Sequence, residues 1–173
     1  MRFSVSLLVI GLFACGRPMH PGDPNLYGVE VVVRSDAAAY TREPDFQPRL
    51  KLLLERAAAF YGHAPEEFAG LRIQFQGTPV QCGQQSGDQG CNDPTTNTIT
   101  VATLQPDCYL NVESSVLPHE LLHYFTGDPQ HLNPLWRALD PLWWQLHEGV
   151  ACVAPQDVCG MVCSYSWQWD VVR

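Results

Sequence analysis

The stretch Leu117-Pro118-His119-Glu120-Leu121-Leu122-His123-Tyr124-Phe125-Thr126 decides how the rest of the chain is read. It places His119 and His123 four positions apart, with Glu120 beside the first of them. On a helix, side chains at i and i+4 share a face, so two imidazoles at this spacing can converge on one cation. Zinc accepts nitrogen donors in a tetrahedral site, and a catalytic zinc site leaves one position open to water. A carboxylate beside that position can take the proton the water must lose. The spacing therefore nominates His119 and His123 as ligands of Zn2+ and Glu120 as a general base.

The flanks of this stretch support a helix. Ser114 or Ser115 can cap it, and Pro118 is tolerated in a first turn whose N–H groups have no helical partner. Leu117, Leu121, Leu122 and Phe125 supply a core face, Tyr124 reads as a packed aromatic, and Gly127 stands where a helix-terminating glycine belongs.

Upstream, period-two alternation predicts three strands: Tyr27 to Val33, Leu71 to Gln76, and the short β-branched run Thr98 to Val101. Between the first two, Asp45 can cap a helix with Pro48 in its first turn. Leu50, Leu53, Leu54, Ala57, Ala58 and Tyr61 recur at helical spacing up to Gly62, with Arg49, Lys51 and Glu55 expected on the outer face. His63, just past that end, reads as a capping or surface residue. From Gly77 to Asn97, polar residues and glycines surround Cys82 and Cys91, which predicts a disulfide-pinned surface loop. Downstream, the apolar, Trp-rich stretch from Leu135 predicts a second long helix over Asp140 to Val153.

At 173 residues and 46% hydrophobic content, the chain can bury one proper core and is too short for two domains of ordinary size. A formal net charge of -8 excludes a nucleic-acid binder. The amino terminus carries Arg2, an apolar run from Val5 to Phe13, and Ala14 before Cys15, the pattern of a signal peptide. Leu12-Phe13-Ala14-Cys15 resembles the lipobox of bacterial lipoproteins. That resemblance implies a lipoprotein signal peptide over residues 1–14, lipidation at Cys15, a Pro- and Gly-rich tether over 15–25 and a domain over 26–173. It also implies an exported cell-envelope protein, held to a membrane by the lipid and belonging to the outer membrane or facing the periplasm. Of seven cysteines, six then remain: Cys82, Cys91, Cys108, Cys152, Cys159 and Cys163. An even number in an exported chain points to disulfides, with Cys82 and Cys91 the nearest local pair and the overall connectivity open.

The order strand, helix, strand, strand, HExxH helix over residues 27 to 151 resembles the amino-terminal half of zincin metallopeptidases. The resemblance implies an α+β fold: a small twisted sheet of three or more strands packed on a backing helix and the HExxH helix, followed by the Trp-rich helix. It implies that Thr98 to Thr103 edges a cleft and offers backbone groups to an extended peptide. Two candidates compete for the third ligand. His131 follows Gly127 in the pattern HExxHxxxGxxxH, one residue longer on each side of the glycine than the HExxHxxGxxH of metzincins. Glu148 lies in Trp144, Leu146, Glu148, Gly149 and Ala151, which resembles the second-helix signature of gluzincins. His131 is nearer and of the commoner ligand type, and Asp128 stands behind both. The activity implied is zinc-dependent hydrolysis of a peptide or protein substrate. The alternative is a non-catalytic zincin-fold lipoprotein acting as a surface interaction or structural module.

Overall fold

The fold is seen in a computed structural model that describes residues 20–38, 46–105, 108–110, 116–138, 151–153, 158–159 and 162–164. For residues 104–105, 108–110 and those from 151 on, the description extends to the backbone alone. It is a mixed α+β arrangement with two α-helices among the described residues.

The first strand, β1 (Glu30–Val33), begins later than the alternation suggests, because Tyr27 takes a left-handed conformation (φ 58°) and turns the chain. Helix α1 (Phe46–Tyr61) then crosses over to β2 (Arg72–Gln76), which pairs parallel with β1. Parallel neighbours cannot be joined by a tight turn, and α1 is the crossover that this pairing requires. Its buried stripe of Phe46, Leu50, Leu53, Leu54, Ala57 and Ala58 follows helical spacing, and the Phe46 ring meets Phe75 of β2 edge-on at 5.2 Å. Arg49 departs from expectation. It is only 8% exposed, because position 49 lies three residues after Phe46 and four before Leu53, inside the stripe the apolar residues define.

The polar segment expected as a loop is instead three strands. β3 (Val80–Cys82) and β4 (Gln85–Asp88) form an antiparallel hairpin, and β5 (Gly90–Asp93) pairs antiparallel with β6 (Thr98–Ala102). A disulfide between Cys82 and Cys91 fastens the hairpin to β5. The sheet order is β1-β2-β6-β5, with β6 parallel to β2. Thr98 to Ala102 is therefore an interior strand, and the edge on that side is β5. Ile73, Phe75, Ile99 and Val101 are fully buried while Arg72, Gln74, Thr98 and Thr100 are half-buried, so one face of the sheet is apolar.

Helix α2 (Leu117–Thr126) joins α1 in the core that covers this face, burying Leu117, Leu121 and Leu122 completely and touching α1, β5 and β6. The two helices are bonded directly: the Tyr61 hydroxyl donates to the Pro118 carbonyl at 2.9 Å. Phe125 packs on Tyr61 and Phe68, and His63, bonded to Glu67, stacks on the Phe125 ring at 4.2 Å.

Toward the carboxyl terminus, β7 (Leu104–Gln105) pairs with β8 (Cys108–Leu110), and β9 (Ala151–Val153), β10 (Val158–Cys159) and β11 (Val162–Ser164) follow. β10 lies parallel to β8, and β9 pairs antiparallel with β11, with Cys152 opposite Cys163 in register. Residues 151–153, expected as the end of the second long helix, are thus extended and hydrogen-bonded into a ladder. The rest of that expected helix, from Asp140 to Val150, lies outside the described residues, as do Ser114 and Ser115, the signal peptide and Cys15. Within the expected tether, the chain from His20 on is already held by the fold. The His20 N–H reaches the Gly70 carbonyl at 3.3 Å, and Asp23 bridges to Val29. Among the described residues, no helix is long and apolar enough to cross a membrane.

Candidate metal centre

Helix α2 does for its histidines what the spacing demands. His119 and His123 sit on one side, ring centroids 4.9 Å apart, opposite the fully buried leucines. Pro118 occupies the first turn, and Gly127 closes the helix in the left-handed region (φ 60°), its N–H donating to the His123 carbonyl at 2.9 Å. The chain then doubles back and presents His131, itself left-handed at φ 58°. The ring nitrogens of His119, His123 and His131 come within 4.8 Å of one another, and the Nε2 atoms of His123 and His131 are 3.2 Å apart.

The hydrogen bond at the far side of His123 fixes its protonation. Nδ1 lies 2.8 Å from the Asp128 carbonyl, which can only accept, so Nδ1 carries the hydrogen and Nε2 turns its lone pair toward His131. Burial, followed by the neighbouring His123 and His131, pushes His119 down to about 4. Burial also lowers His123, against the opposing pull of the Asp128 carbonyl. Both are therefore neutral near pH 7, the form in which imidazole binds a metal.

Glu120 points the other way, toward β5. It is 6% exposed, and burial raises its carboxyl to about 8; the Asn92 backbone N–H opposes that rise, and the charge of Asp88 adds to it. β5 comes this close because residue 90 is glycine. A Cβ there would lie 2.6 Å from Glu120 Oε1 and 2.8 Å from its Cγ. Gly90 and the Asn92 N–H are parts of the site that the sequence did not reveal, since a glycine within a polar, Cys-flanked segment reads as a turn.

Between β4 and β5 on one side and α2 with the following loop on the other lies a cleft of about 630 Å³. His119, Glu120, His123 and His131 all line it, together with Asp88 and Asn92. Three imidazole rings at the mouth of this cleft, with the buried Glu120 side chain beside them, fit a cation of borderline softness that keeps a position for water. Among the other candidates, Asp128 lines the cleft but commits its carboxylate to the loop, accepting from the Gln130 and Asn133 N–H groups at 3.0 and 2.6 Å. Glu148 lies outside the described residues. Tyr124 donates its hydroxyl to the Glu67 carbonyl at 3.0 Å, as a packed aromatic. No family model matches this chain, and neither does any curated protein or solved structure.

Proposed function

We propose that the protein is a zincin-like zinc metallopeptidase, hydrolysing peptide bonds in the cleft between β5 and α2, and that it works as an exported lipoprotein anchored through Cys15. The observation that carries this reading is the convergence of three ring nitrogens within 4.8 Å beside the buried carboxylate of Glu120. His119, His123 and His131 are the ligands, three protein donors being the number a catalytic zinc site uses. Zinc bound there supplies Lewis acidity toward a carbonyl and acidifies water.

The rest of the chemistry belongs to the chain. Glu120 takes a proton from the attacking water at its carboxylate and delivers it to the leaving amine. The Asn92 N–H holds the carboxylate in one orientation while α2 and β5 keep bulk water from its flank. β5, the edge strand of the sheet, lines the cleft and stands beside the peptide, in the place first assigned to β6.

The test has two parts. Metal analysis of the purified chain should find about one zinc per chain, lost in His123→Ala. Glu120→Gln should retain the zinc and abolish cleavage of a broad peptide library. Zinc-free protein of normal fold would reject the metal site, and a Glu120→Gln variant as active as the parent would reject the mechanism.

A further inference from the structure

The loop that delivers His131 is organised by one side chain, and that side chain is not a ligand. Asp128 Oδ2 accepts from the Asn133 N–H at 2.6 Å and from the Trp136 indole N–H at 3.0 Å, while Oδ1 accepts from the Gln130 N–H at 3.0 Å. Its own carbonyl accepts from His123 Nδ1 at 2.8 Å. Four of the hydrogen bonds of this residue thus reach both ends of the loop, the indole and a candidate ligand. His131 lies inside the ring they close, between Gln130 and Asn133, in a left-handed conformation that a free loop would relax out of.

The indole completes the arrangement. Trp136, on a short 3-10 helix (Pro134–Ala138), has its ring centroid 4.9 Å from His119, 4.5 Å from His123 and 4.2 Å from His131. No other described ring touches all three imidazoles. Its N–H is turned away from them and spent on Asp128, so the ring offers the imidazoles only carbon surface.

From these contacts we infer that Asp128 is the positioning residue of the metal centre, and that Trp136 is the aromatic wall through which it aligns the three histidines. The inference rests on the metallopeptidase reading only in taking the three histidines as ligands. The Asp128 carboxylate sets where His131 stands and, by holding the loop, keeps the backbone carbonyl of residue 128 against His123 Nδ1, and Trp136 limits the tilt of each ring. The bonds to the carboxylate preorganise the loop before any metal arrives, so the ion does not have to supply the ordering free energy itself.

Zinc affinity, read by competition with a chromophoric chelator, separates this from a merely structural role. Asp128→Ala should weaken zinc about 10- to 100-fold while leaving one site per chain. Because Asp128 acts through His131, combining Asp128→Ala with His131→Ala should weaken zinc little more than His131→Ala alone. Trp136→Phe keeps an aromatic wall and loses only the indole hydrogen bond, so it should fall between parent and Asp128→Ala. In the metal-free parent, the nitrogen chemical shifts of His123 should report a hydrogen on Nδ1, and in Asp128→Ala, where the released loop lets the backbone carbonyl of residue 128 drift from the ring, a mixture of tautomers. Titrating Co2+ should quench tryptophan emission more in the parent than in Trp136→Phe. If Asp128→Ala fails to fold, Asp128→Asn and Trp136→Phe carry the same comparison. Affinities within about two-fold of the parent, or effects that add fully with His131→Ala, overturn the positioning role. A parent that binds no zinc overturns the metal reading itself, and the tautomer measurement then still decides whether Asp128 orders His123.

Discussion

Replacing Gly90 by Ala is the most direct challenge to the way β5 and α2 build this cleft. The added methyl would meet Glu120 Oε1 at 2.6 Å, Glu120 Cγ at 2.8 Å and Val116 Cγ1 at 2.9 Å, all inside van der Waals contact. Either the carboxylate swings off the Asn92 N–H or β5 draws back from the helix, and both give up packing in a buried region. Overpacking of this kind costs about 1–3 kcal/mol. For a chain of this size, each kcal/mol lowers the melting temperature by about 2–4 °C, so Gly90→Ala should melt roughly 2–12 °C below the parent. A carboxylate displaced by about 1 Å should also lose on the order of 100-fold in turnover, with zinc content unchanged. The control is the same substitution in a Glu120→Ala background. Two of the three short contacts vanish there, so the penalty should shrink by at least about 0.5 kcal/mol, the coupling expected of residues in contact. Differential scanning calorimetry on the four proteins reads the whole cycle. Gly90→Ala melting with the parent, or costing as much without Glu120 as with it, would refute the close approach.

The remaining expectations concern pH, ligands and the disulfide. Burial holds the Glu120 carboxyl at about 8 in the folded chain against its ordinary 4.5, so the folded state holds the proton more tightly. Its contribution to stability is therefore complete below about pH 4.5 and is lost as pH rises through about 8; urea unfolding of metal-free parent should show this decline and Glu120→Gln should lack it. Identical pH dependence in the two proteins would show that Glu120 is not buried as described. His131→Gly should unfold at higher denaturant than His131→Ala by about 1 kcal/mol, since only glycine takes φ 58° freely, while both variants lose zinc affinity; equal midpoints would argue against the left-handed turn. Removing the Cys82–Cys91 disulfide, which spans a separation of 9 residues, should cost about 2–3 kcal/mol in chemical denaturation, and a loss near zero would mean the hairpin is held without it.

What could be read from the sequence was whatever has a short period or a local cause. The apolar alternation of Ile73 and Phe75, the helical stripe from Leu50 to Tyr61, and the cap at Gly127 all depend on near neighbours, and the structure has them where the pattern puts them. The pairing of Cys82 with Cys91 was legible for a similar reason, as a local pair within one polar segment. β3, β4 and β5 were not legible, because their backbone ladders and the cross-link hold residues whose side chains favour turns. Ala151, Cys152 and Val153 suit a strand as well as the helix that the Trp-rich run suggested, so only their pairing with β11 decides between the two. At the site, His119, Glu120 and His123 are joined by helical geometry and could be found by spacing. Gly90 is brought to Glu120 only by the sheet, across 30 positions of chain, and nothing local marks it.

Position 131 and position 90 put opposite pressures on this chain. At residue 90 the fold and the site want the same thing, since the residue that packs best also leaves Glu120 where it is useful. At residue 131 they disagree: a backbone at φ 58° favours glycine or asparagine, and histidine is kept there against that preference. A library of variants sorted for heat resistance alone would therefore hold Gly90 and drift away from His131, shedding the proposed third ligand while gaining stability. Sorting for bound metal would hold both, and the difference between the two outcomes would separate the residues this fold needs from those its chemistry needs.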